Sequence, residues 1–200
     1  KSLLEDDNIE LLNWFKKFNI SKNNYYLVVG RFVPENNFEI ILREFMKSNS
    51  KKDLVLITNY ENNKFYRKLE KTYHFSTDSR IKFVGTVYDE QLLKKIRELA
   101  FGYLHGHSVG GTNPSLLEAM ASTKLNILFD VGFNRECGRL STLYFSSEVG
   151  NLAKLIDKCD NLTEDFINEF GILSSNEIER RYSWTYIVHL YEKVFEGENI

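Results

Sequence analysis

Two cysteines, two prolines and four histidines in 200 residues leave little material for several common ways of building a protein. Cys137 and Cys159 fit no zinc or redox spacing, so two free thiols in a reducing compartment are expected. Basic residues are not in excess: 26 Lys and Arg stand against 28 Asp and Glu, a formal charge of −2. That balance lacks the basic footprint of a nucleic-acid binder, and no nucleic-acid partner is expected. No apolar run approaches the length of a membrane-crossing helix, and no signal-peptide pattern opens the chain. Internal repeats, low-complexity tracts and a proline-rich linker are missing as well. Lys1 is not an initiator methionine, which suggests a segment of a longer protein. What remains, 42% hydrophobic and 27% charged, describes one globular domain with a sizeable core.

Short buried-type strands alternate with helical stretches. Strands are expected at Tyr25 to Val29, Asp53 to Ile57, Ile81 to Val84, Phe101 to Leu104, Leu125 to Asp130 and Leu143 to Phe145. Helices are expected from near Asn37 (Phe38, Ile41 and Phe45 on one side), over about Asn62 to Thr72, and from an Asp89 cap through Ala100. Others open at Pro114, run over Glu148 to Lys158, and start from a Thr163 cap towards Arg181. A last helix begins at Ser183-Trp184, with Trp184, Ile187, Leu190, Tyr191 and Phe195 on one face. Near the start, Ile9, Leu11, Leu12, Trp14, Phe15 and Phe18 form an apolar stripe at helical spacing, a packing signal. This alternation predicts an α/β fold: a doubly wound, Rossmann-like, mostly parallel sheet of about six strands with helices on both faces. The loops 30–37, 58–59, 85–88, 105–113 and 131–136 all follow strands. They are therefore expected to gather at one edge of the sheet, where ligands bind in such folds.

The most informative stretch is Phe101 to Ser122, a strand, a glycine-rich turn and a helix opened by Pro114. Proline suits the first helical position because its missing N–H would have had no intrahelical partner. Asn113 before it is a natural N-cap. Gly110 and Gly111 allow close approach to a ligand and conformations that a Cβ forbids. Strand, glycines and helix start together make an anion site, with the amides at Gly111, Thr112 and Asn113 aimed at one spot.

Glu118 sits among Leu116, Leu117, Ala119, Met120 and Ala121, which suggests a helix buried nearly all round. Two readings fit it: a carboxylate receiving vicinal hydroxyls such as those of a ribose, or a half-exposed glutamate at a helix edge. Arg31 follows a strand, where a guanidinium can grip a phosphate with two hydrogen bonds; a surface arginine is the plainer reading. The single Gly30 in that turn rules out a Gly-x-Gly-x-x-Gly fingerprint. His105 and His107 flank Gly106, but nothing else of a metal-ligand set lies near, so no metal is expected and strand–loop packing explains both.

These residues carry a resemblance. Leu116 to Ala121, Leu-Leu-Glu-Ala-Met-Ala, resembles the end of the Glu-x7-Glu motif of retaining glycosyltransferases with the two-domain GT-B fold, family four. The resemblance implies one half of such a fold, the donor-binding domain. It implies that Glu118 binds the nucleotide ribose and that Arg31, after Gly30, binds the donor diphosphate. The first motif glutamate falls on Gly110, and the family's lysine and glycine fall on Asn36 and Asn37, so this chain departs from the pattern there. Either another cation replaces the lost one, with Arg135 the best candidate, or the site stabilises the diphosphate less well. Phe83, Gly85 and Val87 would lie at the base, Thr58 would also touch the donor, and one of the histidines, His107, would reach the sugar or a phosphate oxygen. Asn134 and Arg135 occupy the rim loop. The runs His107-Ser-Val-Gly-Gly-Thr-Asn-Pro, Arg31-Phe-Val-Pro-Glu-Asn-Asn and Phe133-Asn-Arg-Glu are similar to bacterial rhamnosyltransferases of capsule and cell-wall polysaccharide assembly.

The implied activity is transfer of a sugar, rhamnose or another hexose, from a dTDP- or UDP-linked donor to a hydroxyl of a glycan or lipid-linked acceptor. Arg31 and Glu118 would carry it, with no cofactor beyond the nucleotide sugar. Residues 1–24 would join this domain to an N-terminal acceptor domain, 25–182 bind the donor, and 183–200 cross back. The site of action would be the cytoplasm, at the inner face of the membrane through the missing domain. Two rivals remain: a nucleotide-sugar epimerase of the same architecture, which would need an acid/base pair facing the sugar, and a nucleotide-binding module without catalysis, favoured by Gly110 and Asn36.

Overall fold

The computed structural model describes residues 3–197, and side chains for 9–197. Residues 1–2 and 198–200, the ends of the expected linker and crossing helix, lie outside the described residues. Six strands form one sheet: β1 (Tyr25–Val29), β2 (Asp53–Ile57), β3 (Ile81–Gly85), β4 (Gly102–His105), β5 (Asn126–Phe129) and β6 (Leu143–Phe145). Their order is β3-β2-β1-β4-β5-β6, and every neighbouring pair is parallel. The order reverses between β1 and β4, which is where doubly wound sheets open a crevice.

Alternate strand residues face opposite layers, as the two-residue strand period requires. Tyr26, Val28, Leu54, Leu56, Leu104 and Ile127 pack with α2 (Phe38–Lys47), α3 (Lys64–Tyr73) and α7 (Asn151–Cys159). On the other face Tyr25, Leu27, Val55 and Tyr103 pack with α1 (Leu3–Phe18), α4 (Glu90–Glu98) and α5 (Pro114–Ser122). Strands buried on both sides explain the continuous apolar runs in the sequence. The α1 stripe divides: Leu11, Trp14 and Phe15 enter this second core, while Ile9 and Leu12 stay exposed. Trp14 is 8% exposed and meets Phe15 and Phe18 edge-on.

Helix starts follow local capping chemistry. Asn63, Asp89, Asn113, Thr163 and Ser183 each accept a hydrogen bond from a first-turn amide. The start of α7 is held differently: its cap is Gly150, and the buried carboxylate of Glu44 reaches from α2 to accept from the Gly150 amide at 2.6 Å.

Three expectations need correction. Residues 131–136 are not a loop, because α6 (Gly132–Gly138) occupies them; seven residues carry too few turns for a periodic signal. The expected apolar face of α9 (Trp184–Phe195) is not buried here: Ile187 and Leu190 are partly covered, but Trp184 is 83% exposed and Tyr191 and Phe195 are open. Its main neighbour is α8 (Glu164–Tyr182), and none of its described side chains joins the two cores that flank the sheet. Finally, α5 is not buried all round. Leu116, Ala119 and Met120 are buried, while Pro114, Glu118 and Ala121 are exposed. The physical reason is helical spacing: the residues three and four away from Glu118 are Pro114, Ser115, Ala121 and Ser122, a small and polar stripe.

Candidate active site

Three depressions run side by side along the carboxyl edge of the sheet. The first, about 210 Å³, lies at the β1/β4 reversal and is lined by Gly30, Arg31, Asn36, His105, Gly106, His107, Asn113 and Ser115 among others. The second, about 530 Å³, shares Val29, Gly30 and Arg31 with it and adds Thr58, Asn59, Val87 and Tyr88. The third, about 640 Å³, continues from Val87 and Tyr88 between α4 and α5 to Arg97 and Glu118. Arg31 therefore stands on the ridge between the first two, and Val87 between the last two.

The loops after β1 and β4 are pressed together. A Cβ on Gly106 would lie 2.2 Å from the Asn36 carbonyl oxygen, so this close approach depends on glycine. Asn37, in the left-handed region at φ 50°, donates from its side chain to the Gly106 carbonyl at 2.7 Å. Asn36 donates to the Arg31 carbonyl at 2.8 Å, and its side-chain oxygen sits 2.9 Å from His107 Nδ1. A carbonyl can only accept, so the amide nitrogen of Asn36 must face Arg31. Its oxygen then requires a proton on His107 Nδ1 and leaves Nε2 as an acceptor in the neutral ring. Both ends of the Asn36 amide are thus engaged within the protein.

Arg31 is exposed, and its guanidinium makes no hydrogen bond or ion pair among the described residues. Burial first, and the Arg31 charge second, hold His107 below the ordinary histidine range. His105 is buried more deeply; burial, with the neighbouring His107 adding to it, pushes it down to about 3. Its Nε2 has no partner although it is buried. A neutral imidazole with an unfilled valence therefore forms part of the wall of the first crevice.

Beyond the β4 loop, α5 begins as the sequence suggests. The Asn113 side chain accepts from the Ser115 amide at 2.9 Å, and Pro114 takes the first position. The amides of Gly111, Thr112 and Asn113 have no partner among the described residues. Gly110 has φ +109°, a conformation that favours glycine, whereas Gly111 shows no positive φ and needs no such freedom.

Other expected site residues also make contacts within the fold. Asn134 is buried and ties the His107 and Phe129 carbonyls at 2.9 and 2.8 Å, holding α6 against the β4 loop. The Thr112 hydroxyl lies 3.8 Å from Cys137 Sγ on α6. Gly85, at φ +77°, accepts at its carbonyl from the Thr58 amide at 2.9 Å, and the buried Thr58 hydroxyl has no partner. Arg135 is engaged by both oxygens of Asp130 and lies over the Tyr144 ring at 4.6 Å. It lines none of the three depressions and is not the free cation that Asn36 leaves wanting.

Glu118 is 57% exposed, and its Oε2 receives a 2.7 Å bond from Arg97, whose side chain is only 6% exposed. Sequence reasoning passed over Arg97 because it falls among the ordinary charges of α4. The one available signal was its place one residue after Ile96, on the buried side of the helix. Among the described residues no three His, Cys, Asp or Glu side chains gather to hold a metal ion, and no helix is long and apolar enough to cross a membrane.

No protein-family model matches this chain, and no curated protein is a match. Solved structures do match. A glycosyltransferase from Rickettsia africae ESF-5 superposes with TM-score 0.78 at 13% identity, over 94% of this chain and 51% of that one. Anabaena Alr3699/HepE, in complex with UDP, gives 0.79 at 14% identity, over 98% and 54%. The C-terminal domain of the group 1 glycosyl transferase LpcC from Francisella tularensis gives 0.68 at 16%, over 86% and 92%. The chain thus has the fold of GT-B glycosyltransferase domains. It spans about half the length of the first two structures and nearly all of the third, an isolated C-terminal domain.

Proposed function

We propose that this chain is the donor-binding half of a glycosyltransferase, with Arg31 and the amides at the start of α5 receiving the donor diphosphate and Glu118 receiving the ribose. One observation carries the reading. At the reversal of strand order an unpaired guanidinium shares a crevice with Asn113, where three consecutive amides lack partners. The fold likeness to Anabaena HepE, solved with UDP and with UDP-glucose, supports a uridine donor; a thymidine donor fits the same groups.

In the proposed reaction the bond between the sugar's anomeric carbon and the diphosphate oxygen breaks, and the acceptor hydroxyl oxygen bonds to that carbon on the same face. The hydroxyl proton passes to the departing diphosphate. Arg31 and the α5 amides stabilise the charge that develops on the leaving group. The sugar is rhamnose or another hexose, and the acceptor a growing capsular or cell-wall glycan or its lipid-linked precursor. A separate N-terminal domain would hold that acceptor, joined through residues 1–24 and met again by 183–200, in the cytoplasm at the membrane face. A second reading, nucleotide binding without transfer, is favoured by Gly110 at the motif position and by the internal engagement of Asn36.

Titration calorimetry with UDP and dTDP tests the first step. Binding of either in the micromolar to low millimolar range is expected, and absence of heat and of thermal stabilisation with both would overturn the reading. Transfer, epimerisation or binding alone, assayed with donor and acceptor on the full-length protein, separates the enzyme from its rivals.

A further inference from the structure

Arg97 is an arginine in the wrong place for a surface ion pair. It sits in the last turn of α4 with its side chain almost wholly buried, and its carbonyl is tied to the Thr123 hydroxyl at 2.9 Å. A buried guanidinium is costly unless its donors are filled. Here they are filled sparsely: Glu118 Oε2 at 2.7 Å, Ser115 Oγ at 3.4 Å, and nothing for Nε. In a purely structural pair both partners would be expected to lie inside. Instead an interior cation reaches out and holds, by one oxygen, a carboxylate that is more than half exposed.

The second contact leads further. Tyr103 donates to the Val29 carbonyl at 3.2 Å, which spends its only proton. Ser115, 3.1 Å from the Tyr103 oxygen, must then donate to it and accept from Arg97. The donors therefore run one way, from the Arg97 guanidinium through Ser115 and Tyr103 to the residue before Gly30-Arg31. The cation is braced between the end of β1 and the α4–α5 groove.

We propose that Arg97 is a positioning residue that fixes the Glu118 carboxylate in the α4–α5 groove, occupying Oε2 so that Oε1 accepts from a ribose hydroxyl; this rests on the ribose reading of Glu118. Glu118 Oε1 has no partner among the described residues, so it is the oxygen left for a ligand. Without Arg97 the three-torsion side chain on an exposed helix face turns freely in solvent, and part of each binding event goes into ordering it.

The test compares UDP with 2′,3′-dideoxy-UDP by calorimetry on wild type, Arg97→Lys, Glu118→Gln and the double variant, with thermal midpoints measured alongside. Lysine keeps the buried stem and charge but not the planar fork, so it avoids the collapse that Arg97→Ala would bring. Arg97→Lys is expected to weaken UDP roughly five- to tenfold while leaving the dideoxy nucleotide within about twofold. The double variant should bind UDP no more weakly than Glu118→Gln alone, because the two changes remove one shared interaction. Equal loss with both nucleotides, unchanged UDP binding, or additive losses in the double variant would overturn the proposal. If Glu118→Gln itself fails to distinguish the two nucleotides, the ribose reading falls; if it does distinguish them and Arg97→Lys does not, only the role of Arg97 falls.

Discussion

Two arginines follow two strands of the same sheet, and they differ in everything but residue type. The guanidinium of Arg31, after β1, has no partner among the described residues, and Arg31 stands on the ridge between two depressions. Arg135, after β5, is held by both oxygens of Asp130 and covers a tyrosine ring. The asparagines repeat the contrast in part: Asn36 and Asn134 both spend their amides on backbone carbonyls, yet only Asn36 lines a crevice. A strand end stays open to a ligand where valences are unfilled, and among the described residues the β1/β4 junction holds such valences: the Arg31 guanidinium, three amides and His105 Nε2. At the β5 rim the charged group is already neutralised by its neighbour.

The strongest way to break this contrast is to separate the loops that create it. Gly106→Ala places a methyl group 2.2 Å from the Asn36 carbonyl, and backbone cannot step aside as a side-chain tip can. Destabilisation of about 1–3 kcal/mol in urea unfolding is expected, with loss of UDP binding. A protein of wild-type stability that still binds UDP would mean that the junction is not the site.

Next comes the arginine pair itself. Arg31→Ala should weaken UDP by roughly 1.5–3 kcal/mol while leaving uridine nearly unchanged, since only charge-assisted phosphate bonds are lost. Arg135→Ala should change neither ligand by more than about twofold, because its guanidinium already has a partner. Calorimetry with both ligands decides it, and a reversed ranking would move the diphosphate to the β5 rim.

The smallest effect is a pH signature of the satisfied side. The hydrogen bond from Arg135, opposed by slight burial and reinforced by the Arg135 charge, holds the Asp130 carboxyl below the ordinary aspartate range. Such a group adds stability that is complete above the unfolded value, near 3.8, and is lost as pH falls through the folded one. Asp130→Asn should therefore flatten the acid limb of the urea midpoint below pH 3.8, by a small amount because the pair is exposed. No comparable limb is expected from Arg31, which has no carboxylate partner to protonate.

Much of the fold is legible in the sequence because its signals are local. Caps at Asp89, Asn113 and Thr163, the helix start at Ser183-Trp184 and the apolar runs of β1, β2 and β6 each depend on a few adjacent residues, and each stands where expected. What the sequence hides is settled between elements. Glu118 looks buried to a reader of its immediate neighbours, yet its exposure follows from residues three and four away and its partner comes from another helix. Arg135 looks like a phosphate ligand until Asp130 and Tyr144 are seen beside it. That the Arg31 guanidinium stays open is likewise recorded by no local pattern: it depends on what the rest of the fold leaves beside it, and among the described residues it has no partner.

The unequal cover of the two ends of the chain has an optical consequence. The protein has two tryptophans, Trp14 in the core beneath the sheet and Trp184 in water on the outer helix. Denaturation changes the surroundings of the first and scarcely those of the second. The emission shift on unfolding is therefore a reading of α1 leaving its sheet face, laid over a constant background from α9. Acrylamide would quench that background first and leave the buried indole to report alone.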